Sequence, residues 1–422
     1  MHEPGIALRK RFLIFALLLL HASAQGAQPE GRFISGVFPA CQDSGPEKTI
    51  PQDSPPFHDI LPEGSFSPGS KDSPPFHCIL PEGSFSPAVP AEISSADSGM
   101  LPGSCREKFR IVFYNVENLF DTINEPGKND DAFTPGGDRR WTEYRLRHKI
   151  NNIYRAIAAA SGLEIPAMIG LCEVENLYVL ERLARETGLK NHDYGIIHRN
   201  SADSRGIDVA LLYRPGIFRV LDTMFRSIPF PFDSLPATRD ILYVKGIVAD
   251  ADTLHVFVNH WMSRWRGQAV SEPYRNYTAA FLKSLTDSIF GVCRRSNIVV
   301  MGDFNDEPQD ASLRDHLVAA TSSIDPLPGM LYNLSYGKAP VPGTLKYQGQ
   351  WFLFDQFIVS GSLLDGRGRL KTSRDSFRIF HAGFLLVPDE RWFGYKPFRS
   401  YEGFRYTGGF SDHLPVVLDL WW

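Results

Sequence analysis

The sequence predicts an α/β domain that follows a long, disordered N-terminal arm. From Phe109 to the C-terminus, short apolar and β-branched runs alternate with segments of helical periodicity. Between residues 25 and 105, prolines, glycines and serines recur too often for regular structure. Because 43% of the 422 residues are apolar, the chain can bury a large core, which excludes a wholly disordered or fibrous protein.

The first 24 residues predict a signal peptide. Residues 9–11 are basic, residues 12–20 form an apolar run, and residues 22–24 are the small side chains that a signal peptidase requires. The apolar run is about half of the ~20 residues needed to span a bilayer. We therefore expect an exported protein, whether periplasmic, surface-bound or secreted, with no stable membrane span.

Residues 25–105 are predicted to be an extended or disordered linker. Residues 53–68 read DSPPFHDILPEGSFSP, and residues 72–87 repeat them 19 positions later with Cys78 in place of Asp59. Each copy holds four prolines and a glycine, which remove backbone donors and fix φ too often for a helix or sheet. A spacer is the simplest interpretation, and a docking motif built on the repeated Phe-His pair is the alternative.

The strands and helices of the second segment follow from periodicity. Seven strands are predicted, at residues 109–114, 167–172, 207–213, 253–259, 297–302, 351–360 and 414–420. Three helices lie between them: one with the apolar stripe Leu146, Ile150, Ile153 and Ile157, one over residues 177–186, and one with the stripe Phe281, Leu285 and Ile289. No Pro/Gly/Ser-rich gap divides this region, so residues 106–422 are predicted to be one domain.

Charge and cysteine usage exclude several classes of protein. A formal net charge of -4 is unlike a basic coat for nucleic acid, so any polyanion must meet a local basic rim. Four arginines are candidates for that rim, and exposed arginines without a partner are the alternative: Arg199, Arg205, Arg264 and Arg266. The five cysteines are too few and too scattered for a disulfide scaffold or a zinc knuckle. Cys172 is expected in the core.

Polar side chains stand next to five of the predicted strands. They are Asn115 and Glu117, Glu173 and Glu175, Asn259 and His260, Asp303 and Asn305, and Asp412 and His413. In α/β folds, strand ends build the functional crevice, so these groups predict one convergent site. Asp355 lies within an apolar run and would be costly to bury unpaired; His413 is its expected partner. Taken singly, each of these residues could instead be a cap, a turn or a solvated strand end.

The residue types at these positions indicate a reaction. Glu173, Asp303 and Asp412 are hard oxygen donors without thiolates among them, which favours Mg²⁺ or Mn²⁺ over zinc. Asn115 and Asn305 can hold a water or a phosphate without adding negative charge. The two histidines could, if protonated, donate hydrogen bonds to phosphate oxygens. The set is typical of metal-assisted phosphodiester or phosphomonoester hydrolysis.

Six motifs, in this order, carry a family resemblance: NVEN at 115–118, CEVEN at 172–176, NHW at 259–261, GDFNDEP at 302–308, FDQFIVS at 354–360 and SDHLP at 411–415. With them, residues 109–422 resemble the endonuclease/exonuclease/phosphatase superfamily and its deoxyribonuclease I-like fold, as an exported bacterial-type member. The resemblance implies a four-layer α/β/β/α sandwich of two packed mixed β-sheets. The first motif, NVENLFD, departs from the family's tryptophan-asparagine form, so knowledge of substrates transfers poorly.

The resemblance also implies roles. Glu173 would be the principal ligand of Mg²⁺ or Mn²⁺, with Asn115 and Asp412 completing the metal site. The implied catalytic residues are Asp303 at the attacking water, Asn305 at the phosphate or that water, His260 at the scissile phosphate, and His413 paired with Asp355. Whether Asp303 or the His413 pair is the base stays open. Asp208 could orient His260 or belong to unrelated core pairing.

The first functional hypothesis is a metal-dependent nuclease acting on nucleic acid outside the cytoplasm. A phosphatase or phosphodiesterase for inositol, lipid or small-molecule phosphates is the alternative. The aromatic residues 391–406 could stack bases, contact a lipid surface or form a tucked loop. A non-catalytic secreted binding protein is the hypothesis from another class; retention of every candidate ligand and of His413 argues against it. The oligomeric state is left open.

Overall fold

The computed structural model describes residues 107–422, except 234–237, 251, 322–323 and 339–341 and the side chain of Arg266. The predicted signal peptide (1–24) and linker (25–105) therefore lie outside the described residues. In chain order the strands are β1 (Lys108–Leu119), β2 (Met168–Val174), β3 (Gly195–His198), β4 (Asp208–Tyr213), β5 (Phe218–Arg226), β6 (Ile241–Val248), β7 (Asp252–His260), β8 (Asn297–Asp303), β9 (Leu331–Asn333), β10 (Leu345–Tyr347), β11 (Gln350–Phe352), β12 (Asp355–Ser360), β13 (Phe377–Ile379), β14 (Leu386–Pro388), β15 (Tyr395–Pro397), β16 (Tyr401–Glu402), β17 (Arg405–Tyr406) and β18 (Val416–Trp421). The helices are α1 (Glu143–Ser161), α2 (Leu177–Glu186), α3 (Gln268–Val292) and the short α4 (Gly361–Leu364).

Two six-stranded mixed sheets pack face to face. The first has the order β13-β18-β1-β2-β4-β3 and the second β5-β6-β7-β8-β12-β9. In each sheet one central pair is parallel, β1 with β2 and β7 with β8, and its neighbours are antiparallel. Apolar side chains from the inner faces of both sheets form one buried cluster, the inter-sheet core, which includes Phe113, Met168, Val258 and Met301.

Helices cover both outer faces, which confirms the predicted four-layer sandwich. Residues of α1 and α2 pack on the outer side of the first sheet, where Ile169 and Leu171 of β2 contact them. Residues of α3 pack on the second sheet against Ile298 and Val300 of β8. Alternate residues of one strand thus belong to different layers, as the period of two requires. Within the described residues, no helix combines the length and the apolar character that crossing a bilayer requires.

Two sequence expectations are wrong in detail. The predicted strand 351–360 is two strands, β11 and β12, because Thr344 Oγ1 accepts from the backbone N–H groups of Phe354 and Asp355 at 3.1 Å and replaces ladder bonds there. In α3 the buried stripe consists of Ala279, Leu282, Thr286 and Phe290. The predicted stripe beginning at Phe281 flanks it and is only half-buried.

Candidate active site

Four candidate residues lie at one end of the inter-sheet core because the strand alternation brings them there. They are Asn115 on β1, His260 on β7, Asp303 on β8 and Asp355 on β12, and all are buried. The residues of the same strand faces pack in the core: Ile111 and Phe113 on β1, Val256 and Val258 on β7, Val299 and Met301 on β8, and Phe357 and Val359 on β12. Side chains two positions apart in a strand point to the same side, so the face of each strand that packs in the core ends in one of these polar residues.

Strand register sets the neighbours of Asp303. Asp355 is its partner in the antiparallel pair of β12 with β8, and His260 is its partner in the parallel pair of β7 with β8. The first sheet joins them through Asn115, whose Nδ2 donates to Asp303 Oδ2 at 3.0 Å and lies 3.4 Å from Glu173 Oε1. Both sheets therefore contribute to one cluster.

Glu173 reaches this cluster through a β-bulge. The register of β2 shifts between Cys172 and Val174, and Glu173 has φ 62°. Cys172 faces the inter-sheet core and Val174 the helix side, so the extra residue releases Glu173 from the regular alternation. Glu173 Oε2 accepts from the N–H of Asn118, itself at φ 55°, at 2.9 Å. Bulky residues seldom adopt this backbone region, and such strain is typical of functional sites.

His413 lies between two carboxylates. Its Nδ1 is 2.7 Å from Asp355 Oδ2, so the hydrogen bond predicted from the sequence is present, and its Nε2 is 3.7 Å from Asp303 Oδ2. Burial lowers the pKa of His413, but the charges of Asp355 and Asp303 outweigh it and raise that pKa well above the ordinary value. The imidazole is therefore protonated at neutral pH. Ser411 fixes the loop by accepting from His413 N–H at 3.0 Å.

Asp303 has the electrostatics of a base. Burial raises the pKa of Asp303 to about 7, although the neighbouring His413 charge lowers it. Its Oδ1 accepts from the N–H of Asn305 at 2.9 Å, and Asn305 in turn donates from Nδ2 to the backbone oxygen of Trp261 at 3.1 Å. Arg264 donates to the Asn305 carbonyl at 2.7 Å. Asn305 is thus held in place beside Asp303.

His260 differs from His413 in charge. Burial, followed by the charges of Arg239 and Arg205, lowers the pKa of His260 well below its ordinary value. The ring is therefore neutral at neutral pH, and a neutral imidazole still carries one N–H that can donate a hydrogen bond. Its Nε2 lies 3.9 Å from Glu173 Oε1 and 3.8 Å from Asp303 Oδ2.

Asp412 has partners that differ from those of the other candidates. Its Oδ2 accepts from Arg399 Nη2 at 3.0 Å, and the same guanidinium donates from Nε to Glu117 Oε1 at 3.0 Å. Among the described residues, no hydrogen bond or ion pair joins Asp412 to the other seven candidates. Arg399 is a neighbour that sequence reasoning missed, because it lies in an aromatic loop without a recognisable motif.

Asp208 and three of the four rim arginines have other partners. Asp208 does not hold His260: it accepts from Ser201 N–H at 3.0 Å and lies 3.7 Å from His198. The proposed arginine rim is largely committed to internal pairs: Arg199 binds Asp240, and Arg264 binds Asp306 at 2.6 Å. Arg205 lies 3.8 Å from Asp203, and the side chain of Arg266 is outside the described part of the chain.

The donor chemistry of the site fits a hard divalent cation. Glu173 and Asp303 bring two carboxylates to one Asn115 amide, and oxygen ligands of this kind suit Mg²⁺ or Mn²⁺. In addition, ligand atoms of Asp303, Asp355 and His413 lie within 4.8 Å of one another. Cys172, the nearby thiol, is buried in the core as expected.

A model of the endonuclease/exonuclease/phosphatase family matches residues 110–421. The chain belongs to this family. Members of the family are hydrolases acting on phosphodiester bonds, and the superfamily prediction from the sequence is confirmed. A comparison with curated protein sequences gives no match.

Solved structures of the endonuclease/exonuclease/phosphatase type are also similar to this family member. An endonuclease/exonuclease/phosphatase family protein from Bacteroides thetaiotaomicron is 15% identical with a TM-score of 0.45, covering 75% of this chain and 98% of that one. The human Nocturnin catalytic domain with bound sulfate is 16% identical with a TM-score of 0.44, covering 75% and 97%. D. rerio TDP2 with a single-stranded DNA product is 15% identical with a TM-score of 0.42, covering 74% and 98%.

Proposed function

We propose that this protein is an exported, divalent-metal-dependent phosphodiester hydrolase whose substrate is nucleic acid. One observation carries the hydrolase assignment: Asn115, Glu173, His260, Asp303, Asn305, Asp355 and His413 converge at one end of the inter-sheet core. Caps, surface turns or solvated strand ends would satisfy each residue locally and would not bring seven of them together. Export is supported by the residue pattern of positions 1–24.

The proposed roles follow from charge state and position. Asp303, with a pKa near neutrality, accepts a proton from the attacking water as it adds to phosphorus. His413 is already protonated and therefore cannot be that base; it donates a proton toward the leaving oxygen, and Asp355 keeps it charged. Neutral His260 and the amide of Asn305 hold the phosphate oxygens.

Glu173 would hold the metal ion, with Asn115 and Asp303 beside it. A bound Mg²⁺ or Mn²⁺ would neutralise charge on the phosphoryl group and polarise it toward attack. The side-chain amide of Asn115 lies within hydrogen-bond distance of the carboxylates of Glu173 and Asp303. It therefore also limits the repulsion between these two carboxylates before an ion binds.

Hydrolysis of bis-p-nitrophenyl phosphate tests the assignment without presuming a substrate. We expect product release with Mg²⁺ or Mn²⁺, none in EDTA, and recovery when either ion is restored. Asp303→Asn should lower turnover by about 10²-fold or more, while Asp287→Asn, at an exposed carboxylate of α3 paired with Lys283, should leave it unchanged. Full activity in EDTA, or in Asp303→Asn, would overturn the mechanism.

A substrate panel tests the nucleic-acid part of the proposal. Plasmid DNA, RNA, inositol phosphates and phospholipid vesicles are compared at equal phosphate concentration. We expect cleavage of nucleic acid with the highest kcat/KM. Preferential release of inositol or lipid phosphate would replace the nuclease assignment by the phosphatase alternative while keeping the metal-dependent mechanism.

A further inference from the structure

A surface next to the active site combines unneutralised arginines with exposed aromatic rings. We call it the arginine–aromatic face. It consists of Arg139, Arg140, Arg145, Arg155 and Arg405 together with Tyr144 and Phe404. It lies on α1, on the loop before α1 and on the β16–β17 hairpin. None of these arginines was singled out by sequence reasoning, which placed the basic rim elsewhere.

The charges of this face are held in place but not cancelled. Among the described residues, no carboxylate lies within ion-pair distance of the five guanidinium groups. Three of them stack on rings instead: Arg139 is 5.0 Å from the Tyr401 centroid, Arg145 4.5 Å from that of Tyr406, and Arg155 5.2 Å from that of Phe410. A cation–π contact positions a guanidinium and leaves its charge available to an anion.

Two carboxylates close to the face, Glu143 and Glu402, are bound by cations outside it. Glu143 is bound by Arg182 at 2.6 Å and lies 3.5 Å from Arg147, and Glu402 is bound by Lys396 at 2.6 Å. Five positive charges therefore stand together on a chain whose formal net charge is -4. Such a concentration gives a local positive potential that the net charge conceals.

The face is continuous with the catalytic loops. Lys149 of α1 donates to Ser400 Oγ at 2.6 Å, and Ser400 N–H donates to Glu117 Oε2 at 2.7 Å. Arg399 connects the same segment to Asp412, which precedes the catalytic His413. The β16–β17 hairpin follows directly at Tyr401. A ligand on the face would therefore lie beside the segment that leads to Asp412 and the catalytic His413.

The exposed rings specify the ligand further. Tyr144 is 75% and Phe404 67% exposed, and the guanidinium of Arg139 lies 5.9 Å from the Phe404 centroid. Exposed rings and guanidinium groups thus share one face, and a single strand offers both bases and phosphates to such a face. Membrane insertion would need a continuous apolar surface, and paired bases in a duplex would not expose their faces for stacking.

We propose that the arginine–aromatic face binds single-stranded nucleic acid, with arginines on phosphates and with Tyr144 and Phe404 stacked on bases, a substrate assignment that rests on the hydrolase function proposed above. The preferred substrate is then an unpaired polynucleotide rather than a duplex or a small phosphate ester.

Binding is measured on the full chain in EDTA, by anisotropy of a fluorescein-labelled oligothymidylate of about 20 nucleotides. The triple variant Arg140→Gln, Arg155→Gln, Arg405→Gln should raise Kd at least about tenfold at low salt and reduce the slope of log Kd against log salt by about 2. The matched control is Arg226→Gln, Arg294→Gln, Arg367→Gln, which removes three exposed arginines that also lack carboxylate partners among the described residues. It should change Kd less than twofold.

Stacking is tested separately with the double variant Tyr144→Ala, Phe404→Ala, at two exposed positions where truncation leaves the core intact. Its Kd for oligothymidylate should rise about tenfold or more, while its Kd for an abasic oligomer of the same length should stay unchanged. Equal wild-type affinity for the two oligomers, tighter binding of duplex, or binding of phosphatidylglycerol vesicles without binding of oligothymidylate would each overturn the proposal.

The hydrolase function has its own readout. The arginine triple variant should hydrolyse bis-p-nitrophenyl phosphate at the wild-type rate and lose at least about tenfold in kcat/KM on oligothymidylate. Absence of hydrolysis with every metal would defeat the proposed function and leave the binding result standing. An equal loss on both substrates would instead show that the arginines support the fold of the site, and would overturn their role in binding.

Discussion

Replacing Asp355 by asparagine isolates the charge that keeps His413 protonated. At an effective dielectric constant of about 20, charges at the 2.7 Å between His413 Nδ1 and Asp355 Oδ2 attract by about 6 kcal/mol before desolvation. The attraction to Asp303 at 3.7 Å is about 4.5 kcal/mol on the same scale. Burying an ion costs several kcal/mol, so Asp303 alone leaves the imidazolium with little net stabilisation. The pKa of His413 should therefore fall to neutrality or below in Asp355→Asn.

Two measurements follow from this change in charge. The histidine Cε1–H resonances, titrated by NMR in EDTA, should show His413 losing its proton at much lower pH than in the wild type. Turnover of bis-p-nitrophenyl phosphate at neutral pH should drop about 10²- to 10⁴-fold in a chain that remains folded by circular dichroism. Asp287→Asn should change neither measurement. Wild-type turnover in Asp355→Asn, or an unchanged His413 titration, would refute the assignment of His413 as a proton donor sustained by Asp355.

Three further predictions address the metal, the packing and the pH dependence of stability. Glu173→Gln should weaken Mg²⁺ binding about tenfold or more by calorimetry; equal affinity would remove Glu173 from the metal site. Gly302→Ala should lower the free energy of unfolding in urea by about 1–3 kcal/mol, because its Cβ would lie 2.5 Å from a backbone oxygen of β7, whereas Gly291→Ala on α3 meets no atom within 4 Å and should not destabilise. Burial raises the pKa of Glu175 from 4.5 to about 8. Between those pH values the folded state retains a proton that the unfolded state has released. The free energy of unfolding therefore declines as pH rises through this window, and the contribution of Glu175 is constant above it. Glu175→Gln should remove that decline, and the exposed Glu181→Gln should preserve it; a decline that persists in Glu175→Gln would contradict the assignment.

The sequence was informative where short-range patterns carry the physics. Short apolar and β-branched runs located β1, β2, β4, β7 and β8 to within a few residues, because a strand buried between two apolar layers is apolar on both of its faces. It failed where an interaction from elsewhere interrupts the pattern. Thr344 divides one predicted strand into β11 and β12. In α3 the stripe that includes Leu282 and Phe290, rather than the one beginning at Phe281, is buried against the sheet.

Within the site, the sequence by itself determined which polar residues stand next to apolar strands and predicted the bond between Asp355 and His413. It could not determine charge state. His260 and His413 are both histidines beside a strand, yet one is neutral and the other protonated. Burial, followed by the charges of Arg239 and Arg205, lowers the pKa of His260. At His413 the charges of Asp355 and Asp303 outweigh burial and raise the pKa. Only the tertiary structure decides such surroundings.

The same distinction explains the arginines and Asp412. In the sequence, arginines near His260 and the carboxylate of Asp412 look equally available for phosphate or metal. The fold pairs Arg264 with Asp306 and Asp412 with Arg399. Among the described residues, it leaves the guanidinium groups of the arginine–aromatic face without a carboxylate at ion-pair distance. Residue type and periodicity are properties of neighbours along the chain, whereas ion pairing and desolvation depend on groups that lie far apart in sequence. His413 and Asp355 are 58 positions apart in sequence and 2.7 Å from each other, and they owe their hydrogen bond to the packing of the two sheets.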